Sequence, residues 1–410
     1  MEKLAYGGEG VARTQPITFV PRSAPGDRLE VELTEEKARM RRAKILRVLE
    51  AGPGRREPPC AHYRQGCGGC QLQHLSYPAQ LAAKAAQVRE ALARIGKLNV
   101  EVAEPLAAPA ELGYRNKATF RKGPAGLGLV GEDGVSVVPL SDCPLLVEAA
   151  DRLYRKAAAV AAEMPEVGLS TLIVRAGQAT GETLLAAHAD HPDPFLARLE
   201  ATTLIALAGD GEEERVVSGP GVIRERIGGH DFFVDARSFL QVNTVQAGRL
   251  FTLAVEEAGL TGKERVLDLY CGNGGIALHA AGRAREVVGV ESAARSVELG
   301  RRSAAAAGLG NVRFRLGRVE STLKALHHAE RMKPEVVFLD PPRAGVKPVV
   351  IETLARMKPA RVVYVSCNPT TLARDLALFA RKGYITRRVT PIDLFPQTYH
   401  VEAVAALALT

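Results

Sequence analysis

From about residue 239 onward the chain alternates short apolar runs with stretches of helical period. The runs fall at 265–270, 286–291, 312–314, 336–340 and 362–366. Helical spacing covers 244–257, a segment near 275–281, and 293–307. Unbroken apolar runs, rather than alternating ones, belong to strands covered on both faces. Strands alternating with helices predict a parallel sheet between two helical layers. The N-terminal pattern differs. Residues 1–52 hold short β-type pieces at 10–13, 17–20 and 27–33, cut by Gly and Pro. Residues 53–59 read as a linker. A helix is predicted over 77–95, with Leu81, Ala85, Val88, Leu92 and Ile95 on one face and Gly96 ending it. Residues 100–230 mix strands and helices, with turns at Gly126, Gly131 and Gly134. No internal repeat or low-complexity tract interrupts the chain. The expectation is α/β with three regions: a small β-barrel at 1–52, a mixed α/β region at 53–235, and the parallel-type sheet at 236–410.

With 410 residues, 46% of them hydrophobic, the chain can bury more than one core. It has no run of 18 apolar residues to span a bilayer. Its first residues have no apolar signal core, so a cytoplasmic location is expected. The formal charge of +8 favours a polyanionic partner. A basic segment, Lys37-Ala38-Arg39-Met40-Arg41-Arg42-Ala43-Lys44, fits either a nucleic-acid-binding strand of a small barrel or an edge strand protected by charge. Aromatic residues make up only 5% of the chain and Trp is absent, which argues against a broad single-strand stacking surface.

Candidate chemistry gathers where the C-terminal apolar runs end. Asp268-Leu269-Tyr270-Cys271-Gly272-Asn273-Gly274-Gly275 joins a strand to a helix, and its glycines let backbone approach a ligand. Glu291 ends the next run, where a carboxylate can accept hydrogen bonds from two ribose hydroxyls. A dinucleotide fingerprint fits only in part. Asp268 favours S-adenosyl-L-methionine (SAM) over NAD, because an ammonium tolerates that charge and a pyrophosphate does not. Cys271 reads as a small residue fitted to a tight turn. Two further runs end in proline-containing polar loops, Asp340-Pro341-Pro342-Arg343 and Ser366-Cys367-Asn368-Pro369. One offers a carboxylate and the other a thiol.

These segments, with Phe239-Leu240-Gln241-Val242-Asn243 and His400-Val401-Glu402, resemble the RNA (uracil-5-)-methyltransferase family over nearly the whole chain. Residues 1–52 look like that family's TRAM domain, an OB-like RNA-binding barrel. The resemblance implies a SAM-dependent methyltransferase fold for 236–410. It makes Cys367 the nucleophile and Glu402 the base, and puts Gln241, Tyr270, Gly275, Glu291 and Asp340 around SAM and the target base. Family members often carry Asn where Gly275 stands, and glycine can offer only its backbone. The chemistry suits the set. Uracil carbon 5 is a poor nucleophile until a thiolate adds at carbon 6. A base must then take the carbon-5 proton before the thiolate can leave. A lowered thiol pKa is expected for such a nucleophile. The base must leave its stack to reach the thiol, so a flexible or looped uridine is the expected target.

Cys60, Cys67, Cys70 and Cys143 complete the inventory. Clustered thiols in a cytosolic chain indicate metal ligation rather than disulfides. Four sulfurs suit zinc or an iron–sulfur cluster; spacing alone does not separate them and makes zinc the default, although a zinc ribbon would normally show two close Cys-x2-Cys pairs. The resemblance, to the ribosomal-RNA branch of the family, implies a [4Fe–4S] cluster with a structural role. It also implies 23S rRNA as substrate, ahead of the tRNA T-loop uridine. A cytosine-modifying enzyme shares the thiol chemistry. A non-catalytic RNA-binding assembly factor would need neither Cys367 nor Glu402. No membrane partner is expected, and a monomer is favoured.

Overall fold

In the computed structural model, residues 1–209 and 213–410 are described. The C-terminal region is an eight-stranded sheet. Its order is Val312–Leu316, Glu286–Glu291, Arg265–Leu269, Val336–Leu339, Arg361–Ser366, Glu402–Leu409, Tyr384–Ile392 and Glu101–Val102. The first five strands are parallel. Strand Glu402–Leu409 then runs antiparallel to both of its long neighbours. Successive strand residues alternate between two cores. Val266, Phe338 and Val363 join the helices Thr244–Ala258 and Gly275–Ala281 on one face. Leu267, Val337 and Val362 join Val319–His328, Pro348–Met357 and Pro369–Ala380 on the other. Both faces are covered, which is why these strands read as continuous apolar runs. The strand order reverses between Arg265–Leu269 and Val336–Leu339, opening a crevice at their carboxyl ends.

Among the described residues three other sheets are present, one of them the two-stranded pair Ile223–Ile227 and His230–Val234. Residues 3–50 form a five-stranded sheet, and residues 117–218 contribute a seven-stranded one. Only Lys37 of the basic segment lies on an edge strand. Strand Met40–Glu50 lies inside its sheet, with Arg28–Lys37 outermost. Its cations are answered by acids: Arg41 by Glu36 at 2.5 Å, Arg42 by Glu9 at 3.1 Å, Lys44 by Glu32 at 2.8 Å. Such exposed pairs add little stability.

The helix expected over 77–95 is an α-helix only over Tyr77–Ala91, followed by a π turn at Leu92–Gly96. Ile95 is 46% exposed instead of sharing the buried face. Gln80, Lys84 and Gln87 are buried in its place. Each has a partner: Gln80 bonds Gln397, Lys84 meets Asp393 at 2.6 Å, and Gln87 donates to the Ala5 carbonyl, though Gln87 Oε1 finds no donor. A polar buried face escapes a search for apolar periodicity. This helix and Glu101–Val102 both pack on the C-terminal sheet, so residues before 108 belong in part to that layer.

Candidate active site

Strand register brings the chemistry together. Leu269, Leu339 and Tyr364 lie level across adjacent parallel strands, so Tyr270 and Asp340 emerge side by side. Ser366 faces Ala403 across the antiparallel pair. One step outward, Cys367 and Glu402 stand at the same sheet end. Cys367 precedes the helix Pro369–Ala380, whose cap is Asn368 accepting from the Thr370 N–H at 3.0 Å. Asn368 Nδ2 donates to the Arg343 carbonyl at 3.1 Å, and Thr371 Oγ1 donates there at 3.2 Å. The thiol loop and the Asp340 loop are therefore held as one unit.

A cavity of about 1640 Å³ runs along this end of the sheet. Cys367, Glu402, Gln241, Tyr270, Gly275, Glu291 and Asp340 all line it. So do Cys60, Cys67, Cys70 and Cys143, at its other end. Glu402 is only 3% exposed, not a surface carboxylate. Burial, then the charge of Asp340, holds its carboxyl well above the usual range. Burial lifts Asp340 to about 7. Burial, Glu402 and Asp340 together push the Cys367 thiol up to about 11, with Arg343 opposing. The lowered thiol pKa expected from sequence is thus corrected. Two acid neighbours and a partly dry site outweigh one guanidinium and the nearby helix start.

The glycine loop is built for a ligand. Gly274 has φ 87°, and a Cβ there would lie 2.7 Å from Leu278 and Phe314. Tyr270 holds φ 64°, which is uncommon for a bulky residue and costs conformational energy. Glu291 accepts from the N–H groups of Gly272 at 3.1 Å, Ser292 at 2.6 Å and Ala293 at 2.7 Å, which fixes its carboxylate. A Cβ on Gly275 would meet the Phe251 ring at 2.5 Å. Phe251 therefore explains why glycine stands there. Cys271 packs inward against Gly289, as expected for a small turn residue.

Three buried acceptors on residues lining the cavity lack a protein donor: Asp268 Oδ1, Gln241 Oε1 and, next to Cys70, Gln71 Oε1. Asp268 Oδ2 accepts from the Ala277 N–H at 2.9 Å, which fixes the side chain. Such orphaned acceptors suit a ligand rich in donors or positive charge. Those on Asp268 and Gln241 fit the ammonium of a methionine moiety.

The comparisons decide the family. Residues 205–409 match the model of the tRNA (Uracil-5-)-methyltransferase family. An RNA methyltransferase of Halalkalibacterium halodurans is 35% identical, with 100% of this chain and 96% of that protein aligned. One from Gloeobacter violaceus is 37% identical over 98% of this chain and 94% of its own. The chain belongs to the RNA (uracil-5-)-methyltransferase family. Among solved structures, the Pyrococcus abyssi tRNA (uracil-54, C5)-methyltransferase, in complex with S-adenosyl-L-homocysteine, superposes with a TM-score of 0.81. It shares 27% identity, with 100% of this chain and 99% of that one covered. This protein is a SAM-dependent RNA methyltransferase with a mixed α/β sheet fold. No helix among the described residues is long and apolar enough to cross a membrane.

The cysteine end of the enzyme's cavity is built differently. Cys67, Cys70 and Cys143 each feel other thiols of the set as electrostatic neighbours. Among the described residues, no three Cys, His, Asp or Glu side chains close on a single point as one metal ion would require. His62 bridges the set to its surroundings, with Nδ1 3.8 Å from Cys60 Sγ and Nε2 accepting from the Ser141 N–H, while His74 Nδ1 meets Tyr63 Oη.

Sequence reasoning missed three groups. Arg343 reaches His400, with Nη2 2.9 Å from Nδ1, and faces both Cys367 and Glu402. Phe239 lines the cavity with 65% of its surface open. Tyr6, from the N-terminal sheet, touches the Cys367 loop. The first two sat inside quoted motifs. Tyr6 carried only the weak signal of an aromatic before two glycines.

Proposed function

We propose that the enzyme methylates carbon 5 of a uridine in RNA through a covalent adduct at carbon 6. The observation carrying this reading is the shared cavity of Cys367, Glu402 and Asp340, with the two strand ends registered beside each other. The Cys367 thiolate forms a bond to carbon 6, and the carbon 5–carbon 6 electron pair makes an enolate nucleophilic at carbon 5. SAM supplies an electrophilic methyl on a cationic sulfur. Glu402 takes the carbon-5 proton, the double bond re-forms, and the sulfur–carbon 6 bond breaks to return the thiolate. Gln241, Tyr270, Gly275, Glu291 and Asp340 hold SAM and the base. Cys367, Glu402 and Asp340 all favour neutrality by burial, and each ionises more readily when a cation enters the cavity. Phe239 offers an open ring for the extruded base.

The preferred substrate is 23S rRNA, with Cys60, Cys67, Cys70 and Cys143 holding a structural [4Fe–4S] cluster. Four thiols around one cavity support this, because a cluster spans more space than a single ion. Buried thiolates on iron supply no step of the methylation. Likeness to the Pyrococcus abyssi enzyme favours a second reading, the tRNA T-loop uridine. Mapping 5-methyluridine in both RNAs from cells lacking the protein separates the two. Loss at an rRNA position supports the first, loss in tRNA the second, and loss in neither rejects both. In the test of mechanism, Glu402→Gln accumulates an RNA adduct stable on a denaturing gel. Absence of that adduct, with RNA the wild type methylates, removes Glu402 from the base role.

A further inference from the structure

Tyr6 lies in the turn between strands Lys3–Leu4 and Gly10–Ala12 of the N-terminal sheet. Gly7 and Gly8 hold φ 116° and 91°, backbone that favours glycine. A Cβ on Gly8 would reach Tyr399 Cβ at 3.5 Å, so the turn rests on the loop before Glu402. Lys3 pairs with Glu90 at 2.6 Å, and Gln87 donates to the Ala5 carbonyl at 3.2 Å. These contacts fix the turn to the helix Tyr77–Ala91, which itself packs on the C-terminal sheet.

The Tyr6 hydroxyl donates to the Cys367 carbonyl at 3.4 Å. Its ring meets Tyr399 edge-on, with centroids 5.5 Å apart. Tyr399 in turn lies against His400, with centroids 4.1 Å apart. Docking does not use up the Tyr6 ring, which keeps 41% of the residue exposed. The ring stands beside the nucleophile's backbone but is not among the side chains lining the cavity. A uracil inside the cavity lies beyond it. The next nucleotide along the strand does not.

We propose that Tyr6, backed by Tyr399, is the stacking platform for the nucleotide adjacent to the target uridine. This rests on the reading of Cys367 as the residue that the uridine must reach. Extruding a base strips its neighbour of a stacking partner. An aromatic face at the cavity mouth replaces that partner for any base, because every base has a π-face. Tyr6 is then a positioning residue: it holds the strand at the mouth and takes no part in bond making. The N-terminal sheet contributes through this ring, not through the charge-paired basic strand.

The test uses the full chain and an RNA stem-loop that the wild type methylates. The nucleotides beside the target are replaced one at a time by an abasic residue. Tyr6→Ala is expected to raise the KM for RNA about 5- to 150-fold. The kcat, SAM affinity and thermal midpoint stay near wild type. Tyr6→Phe keeps the ring and stays within about twofold of wild type. Removing one neighbouring base costs the wild type the same factor and costs Tyr6→Ala nothing further. Fully additive losses from the abasic site and from Tyr6→Ala would overturn the proposal. So would a Tyr6→Phe defect equal to that of Tyr6→Ala, which would assign the effect to the bond with the Cys367 carbonyl. A wild type that methylates no uridine in rRNA or tRNA would instead reject the function proposed above. In that case, 2-aminopurine quenching on binding the same stem-loop still reads whether the Tyr6 ring stacks.

Discussion

The two ends of the cavity both present buried or half-buried thiols, yet they face different company. At one end, Cys70 and Cys143 have the other cysteines as neighbours, and burial raises them to about 12 and 11. At the other, Cys367 stands alone with two carboxyls and one guanidinium, and is raised to about 11. Thiols that each raise the others' pKa gain by sharing a cation. One thiol beside two acids gains nothing lasting from ionising, so its charge persists only while something in the cavity compensates for it. The first arrangement suits permanent ligation. The second suits a sulfur that forms a bond and lets it go.

The largest effect expected from breaking this contrast is at the lone thiol. Cys367→Ala should lower turnover by about 10⁴-fold or more while SAM binding and iron content stay at wild-type levels. Retained turnover would end the adduct mechanism. Cys70→Ala should do the reverse. Anaerobically purified wild type should be brown and contain iron. The variant should lose that iron and fall in thermal midpoint, because ligand-binding energy at such a site is also folding energy. A colourless wild type with stoichiometric zinc would overturn the cluster.

The carboxyls give a finer contrast, through pH. Above about pH 7 Asp340 ionises, and its charge raises the Cys367 pKa. In the ligand-free protein, iodoacetamide alkylation of the Cys367 peptide, followed by mass spectrometry, should rise about tenfold per unit between pH 7 and 9. No plateau should appear below about pH 10. Asp340→Asn removes a charge that opposes the thiolate, so its plateau should arrive at lower pH. An unchanged profile would mean that Asp340 and Cys367 are not coupled.

Much of this was legible in the residues. The C-terminal strands were, because burial on both faces writes itself as unbroken apolar runs such as Val336-Val337-Phe338-Leu339. The meeting of Asp340 and Cys367 at one sheet end was too, since both follow such runs. Three things were not. The antiparallel insertion of Glu402–Leu409 is a matter of strand order, which periodicity does not encode, yet it is what sets Glu402 beside Cys367. The helix Tyr77–Ala91 buries Gln80, Lys84 and Gln87 through partners more than 70 residues away in sequence. The direction of the Cys367 shift depends on two acids brought near by folding. Each is a tertiary effect with no local signature.

Lys84 gives a test of the second of these. Its ammonium and the Asp393 carboxylate are each 1% exposed and 2.6 Å apart, and Lys84 also donates to the Phe395 carbonyl at 3.0 Å. Lys84→Ala strands a buried carboxylate and should cost about 3–5 kcal/mol in denaturant unfolding. Replacing both partners, as Lys84→Met with Asp393→Asn, should recover most of that loss.

The smallest expected effect lies in the glycine loop. The Gly275 Cβ position falls 2.5 Å from the Phe251 ring, and Phe251 is 3% exposed, so the ring has little space to yield. Gly275→Ala should cost about 1–3 kcal/mol of stability through overpacking and weaken SAM binding as the loop shifts. Phe251→Leu alone leaves a gap in the core, but in the double variant the smaller side chain makes room for the new methyl. The double variant should therefore be more stable than the sum of the single losses predicts. Additive losses would mean that the ring does not set the size of residue 275.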